Sequence, residues 1–160
     1  NVRNRVVSAA WSAETMDFFK KATQMLTVIA SKEDFAKFTQ SVTQRDSVGH
    51  ESVFVIQELA NMGSIQEAIS KADLFTGSKY SYEVRERALH ILIQHDHTPS
   101  DWLSRAEKLL ADADPRIRFL TIRGLERNKN QEILDFLNEH IQDEYDARVH
   151  KRIQQVMSKE

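Results

Sequence analysis

The chain has 160 residues, with 22 Lys and Arg against 24 Asp and Glu for a formal charge of −2; 41% of residues are apolar and 29% charged. That balance excludes a disordered chain and the global basic footprint of a nucleic-acid-binding domain. Only four glycines and two prolines occur, where average usage gives roughly 19, and there is no cysteine; sandwiches, barrels and Rossmann sheets need more turn residues, and thiol catalysis, disulfides and Cys-ligated metals are excluded.

In chain order, apolar residues recur at helical spacing. The spacing predicts helices over 2–11, 13–30, 32–43, 48–62, 65–74, 82–95, 99–111, 115–127, 131–142 and 147–158. Across the first two of these, Trp11, Phe18, Ala22, Met25 and Ile29 step by seven, four, three and four and read as one face filling the core. Ser31 to Asp34 and Ser64 to Glu67 read as helix starts in which the Ser and acid side chains satisfy free backbone donors. Gly63 reads as a left-handed helix stop, and Asn128 as a second candidate. Val53, Ile56 and Ala60, then Ile65, Ile69 and Ala72, then Val84, Ala88, Ile91 and His95 form successive faces. Thr98-Pro99 and Asp114-Pro115 each place a capping residue before proline at the first helical position. Leu103, Ala106 and Leu110, then Ile117, Leu120 and Gly124, then Ile133, Leu137 and Ile141, then Val149, Ile153 and Val156 complete the pattern. The expected fold class is all-α, with about eight to ten helices. No apolar run approaches the ~20 residues of a membrane span. The start, Asn1-Val2-Arg3, has no methionine or secretory h-region and reads as a piece cut from a longer chain or as a processed protein.

Val84-Arg85, Ile117-Arg118 and Val149-His150 lie 33 and 32 residues apart, each near a helix start. A helix pair repeated at that period cannot bury its apolar face alone and must stack on its neighbours. Asp114-Pro115-Arg116-Ile117-Arg118, followed by Leu120, Gly124 and Leu125, resembles the opening of a HEAT repeat of the short, phycobilin-lyase type. Tyr82 to Arg85 with Ala88, and Asp146 to Val149 with Ile153, resemble the same opening, His150 departing from the family's arginine. The resemblance extends over about 82–160. It implies an α-α superhelix, a single domain over 1–160 with divergent helices over 1–47 and HEAT-like pairs over 48–160, in which second helices line the inner surface. Asp114 and Arg118, four apart, are placed to pair within one turn.

Reaction chemistry has little to stand on. His90, His95, Asp96 and His97 gather at one helix end, where imidazole suits the helix dipole, and His95 falls about 140° from His90, poor geometry for one ion. His50-Glu51 resembles one half-motif of the HEAT enzyme deoxyhypusine hydroxylase, whose di-iron site needs several such pairs. No metal or other cofactor and no catalytic residue is expected. Charge segregation says more. Glu132, Asp135, Glu139 and Asp143 step by three, four and four opposite an apolar face, with no Lys or Arg between 131 and 143. They read either as a recognition stripe or as a solvated face neutralised by the arginines of 115–127.

The expected function is a non-catalytic protein-interaction scaffold or accessory domain, its partner a protein or another domain of a parent chain. Alternatives are a C-terminal accessory domain of a zinc aminopeptidase-like enzyme, and a HEAT-type lyase or metal oxygenase. A further alternative is a nucleic-acid module using Arg116, Arg123, Arg127, Arg148, Lys151 and Arg152, against which the neighbouring acids argue. The absence of cysteine suits the cytoplasm and an oxidising compartment alike, with the cytoplasm taken as the default.

Overall fold

A computed structural model describes residues 16–158. Among them are nine α-helices, one 3-10 turn and no strand. The helices are α1 (Met16–Ile29), α2 (Lys32–Arg45), α3 (His50–Asn61), α4 (Ile65–Asp73), α5 (Tyr82–His95), α6 (Pro99–Leu109), α7 (Pro115–Arg127), α8 (Gln131–His140) and α9 (Ala147–Ser158), with the 3-10 turn at Ile141–Asp143. The all-α class and the succession of helix pairs agree with the sequence reading; the helix expected over 2–11, with Trp11, lies outside the described residues. The described chain forms two compact units, one reaching to Ile91 and the other beginning at Leu92.

In the first unit, α3 packs against α1, α2 and α4. Its core takes Phe19 and Leu26 from α1, Phe35 and Val42 from α2, and Ile56 and Leu59 from α3, all buried. Phe19 meets Phe54 edge-on at 6.4 Å. The face expected for α1 is corrected here. Phe19, Ala22, Thr23 and Leu26 point inward, whereas Phe18, Met25 and Ile29 are exposed. The apolar residues of this helix span a wider arc than the one it buries, so spacing alone does not choose the buried side.

The turns of this unit follow backbone need. Ser31 caps α2, its hydroxyl accepting from the Asp34 N–H at 3.1 Å. Asp46 starts α3 from outside the helix: its carboxylate accepts from the N–H groups of Val48, Gly49 and Ser52 and from the Ser52 hydroxyl. These four bonds outweigh burial, which alone would raise its pKa, and hold it below the ordinary carboxylate range. The chain then passes through Gly49 at φ 96°, where a side chain is strained and a Cβ would also crowd Val84. Gly63, at φ 87°, ends α3 as expected, with Ser64 N–H returning to Leu59 O. The reciprocal cap expected at Ser64 does not form, because the Ser64 N–H belongs to that stop and its hydroxyl makes no capping bond.

The second unit is two layers. α7 packs against α9 in one layer and α6 against α8 in the other, with α6 on α7 and α8 on α9 joining them. Ile117, Ile122 and Leu125 of α7, Ile133 and Leu137 of α8, and Val149, Ile153 and Val156 of α9 are all buried. The largest core side chain is Trp102 of α6, which is fully buried while Leu103, expected on the inner face, is only half-buried. The Trp102 ring occupies the space a side chain at Gly124 would need, and its Nε1–H donates to Asp96 O at 3.0 Å. Asn128 is not a left-handed stop (φ −111°); its buried amide donates to Gly124 O at 2.9 Å. Thr98 makes no side-chain cap; instead its N–H donates to the buried Asp96 carboxylate, which also pairs with Arg105 at 2.6 Å.

Candidate functional site

The second unit is held at its turns by the repeated arginine. Arg118 is almost fully buried and grips Glu144, 26 residues later, through two parallel bonds, Nε to Oε2 and Nη2 to Oε1, both 2.9 Å. Its Nη1 donates to Asp112 O at 2.8 Å, so one side chain ties α7 to the turns before and after it. Arg85 does the first half of this in the other unit, donating from Nε to Thr76 O at 2.8 Å. Burial alone would raise the Glu144 pKa; the Arg118 bonds, the Asp146 N–H and the Arg118 charge bring it below the usual carboxylate range. The pairing expected between Asp114 and Arg118 is corrected. Asp114 caps α7 at the Arg116 N–H and pairs with the Arg116 guanidinium, while Arg118 turns inward.

α8 begins at Asn130, whose side chain accepts from the Ile133 N–H at 2.9 Å. Burying Ile133 and Leu137 turns Glu132, Asp135 and Glu139 outward, and all three are exposed. Asp143 is exposed too, but not on the same helix. α8 ends at His140 and Asp143 sits on the 3-10 turn, because the chain tightens there to bring Glu144 back to Arg118. The helical stripe is therefore Glu132, Asp135 and Glu139, about 10 Å long at 1.5 Å per residue, with Asp143 beyond its end. Gln131 donates to Asp135 at 2.8 Å. Among the described residues the ion pairs found for α7 arginines go elsewhere, Arg116 to Asp114 and Arg118 to Glu144. Neutralisation of the stripe by α7, one of the two sequence readings, has no such pair behind it.

Neighbouring α6 exposes Asp101 and Glu107, with Lys108 as its one exposed cation. The sequence reading missed these two acids, since α6 alone carries mixed charge and only its packing beside α8 makes them part of one acidic layer. The opposite layer carries the candidate cations. Arg123 and Arg127 on α7 and Lys151 on α9 are exposed. The other three have acids beside them: Arg116 pairs with Asp114, Arg148 with Asp146, and Arg152 with Glu126. Half of the candidate phosphate-binding set is thus already engaged by carboxylates.

The histidines do not converge on a site. His90 is exposed beside Glu86 at 4.0 Å, and His97 is exposed. Burial, then the neighbouring His97, lowers the pKa of His95. Glu51, next to His50, pairs with Arg45 at 2.6 Å. Among the described residues no three His, Asp or Glu side chains gather to hold a metal ion, and no helix is long and apolar enough to cross a membrane.

A family model describing HEAT repeats matches residues 76–158, which takes in α5 to α9 and both buried arginines. Comparison with curated proteins and with solved structures gives no match.

Proposed function

The chain belongs to the HEAT-repeat family, and from that premise we propose that it is a non-catalytic interaction scaffold or accessory domain whose acidic stripe receives a basic segment of a protein partner. A fold does not by itself fix a function, which must be argued from the surface the helices present. One observation carries the proposal: Glu132, Asp135 and Glu139 stand exposed on one helix face, while Arg118 is committed to Glu144. Uncompensated carboxylates in a row attract cations and speed association with a complementary partner. An extended Lys/Arg-rich segment, at roughly 3.3 Å per residue, matches the 10 Å row with three or four residues.

The test is direct titration of a Lys/Arg-rich peptide onto the native chain and onto Glu132→Lys, Asp135→Lys, Glu139→Lys, with circular dichroism and melting as controls of folding. A folded triple variant that loses the peptide supports the reading. Equal affinity removes the stripe from the function. A variant that no longer folds makes the stripe a structural feature.

A further inference from the structure

The chain has three tyrosines, and two are engaged in packing. The Tyr80 ring lies 4.9 Å from Phe75 and under the Lys79 ammonium. The Tyr82 hydroxyl, in the first turn of α5, donates to Glu86 at 2.9 Å. Tyr145 differs. It is 81% exposed and lies in the three-residue non-helical link between the 3-10 turn and α9, where Glu144 has extended backbone (φ −83°, ψ 114°). Its sequence neighbours Asp143, Glu144 and Asp146 are all acidic. Yet its ring lies over the buried Arg118 guanidinium at 4.6 Å, and its hydroxyl accepts from Arg118 Nη1 at 3.3 Å. An accessible hydroxyl in an extended acidic link therefore sits directly on the cation that holds the link down.

We propose that Tyr145 is a phosphorylation site, modified by a tyrosine-directed kinase that reads acidic neighbours, and that its phosphate draws Arg118 away from Glu144. In the transfer, Tyr145 Oη attacks the γ-phosphorus of a nucleoside triphosphate. The Oη–P bond forms, the bond from phosphorus to the β–γ bridging oxygen breaks, a nucleoside diphosphate leaves, and the phenolic proton passes to the kinase's base. A neutral hydroxyl becomes an ester of about −1.5 to −2 charge with three strong acceptor oxygens. Arg118 then faces two anions. Glu144 is nearly fully buried, with His140 the next basic group at 3.9 Å, and loses part of the interaction that holds it ionised. Asp143 and Asp146 repel the new charge. The link lifts, and the junction of α7, α8 and α9 loosens. This inference stands apart from the acidic-stripe reading, since it concerns only the Arg118–Glu144 junction.

The experiment treats the full chain with a broadly specific tyrosine kinase domain, magnesium and ATP, and maps the product by mass spectrometry. The expected result is one phosphoryl group, on Tyr145, absent in Tyr145→Phe. No modification of the folded chain, or modification of Tyr80 or Tyr82 instead, overturns the site. The phosphorylated chain is expected to melt below the unmodified one at low salt, the gap narrowing at high salt and closing after phosphatase treatment. An unchanged or raised melting temperature overturns the rewiring.

Discussion

Gly124 offers the sharpest test of the packing in the second unit. It sits in the middle of α7 with ordinary helical backbone, so its conformational freedom is not in use. A Cβ placed there would overlap three atoms of the Trp102 ring, Cε3, Cζ3 and Cη2. The ring has nowhere easy to go: it is fully buried, its Nε1–H is bonded to Asp96 O at 3.0 Å, and Arg105 covers it at 5.2 Å. Gly124→Ala gains about 1 kcal/mol of helix propensity. Against that stand an overpacking cost of about 1–3 kcal/mol and about 1 kcal/mol more if the indole bond breaks. The net is a destabilisation of up to about 3 kcal/mol for Ala, and more for the larger Gly124→Leu. At about 2–4 °C per kcal/mol for a chain of this size, the melting temperature falls by up to about 12 °C. A double-mutant cycle with Trp102→Leu, read by urea unfolding, isolates the clash: the double variant is expected to lose less than the sum of its singles. Gly124→Ala melting higher than the native chain, or strict additivity, would refute the close approach of α6 to α7.

The buried pair and the histidines give two more predictions. Arg118→Met leaves Glu144 as a buried carboxylate without its cation and is expected to cost about 3–5 kcal/mol in urea unfolding; a loss below about 1 kcal/mol would place the pair in solvent. Glu144 and Asp46 ionise below the ordinary carboxylate range in the folded chain. The stability they contribute is complete above the unfolded-state pKa of about 4 and is lost as pH falls through the folded values. Melting temperature should therefore hold from pH 7 to about 5 and fall below about 4, less steeply in Arg118→Met. His95→Gln with His97→Gln is expected to leave metal content and peptide binding unchanged, and loss of a bound ion in elemental analysis would contradict that.

What was legible in the sequence was local. Asp114-Pro115 marks the start of α7, and Val84, Ile117 and Val149 recur on buried faces, because caps and apolar period are settled within one helix. What was not legible needed a second element. α1 carries apolar residues on both sides, and only α3 decides that Phe19 and Leu26 go inward and Phe18 and Met25 do not. Gly124 falls in the apolar pattern of α7, but the ring packed against it lies 22 residues earlier. Arg118 had a nearer carboxylate in Asp114; the turn after α8 won, because Glu144 offers both oxygens in a buried site. The same turn cut the acidic row short, separating Asp143 from Glu132, Asp135 and Glu139. Tyr145 carried no signal in the periodic pattern, since its interest comes from the arginine beneath it.

Three carboxylates on α8 are proposed as the binding surface for a basic partner. The most direct measurement of this is the affinity of a Lys/Arg-rich peptide for the native chain and for Glu132→Lys, Asp135→Lys, Glu139→Lys, at low and at physiological salt. Each exposed charge pair contributes up to about 1 kcal/mol, and reversing three turns attraction into repulsion. A loss of roughly tenfold or more is expected in a variant that melts near the native temperature, with the native affinity falling as salt rises. Equal affinity in the folded variant, or native binding indifferent to salt, would contradict it.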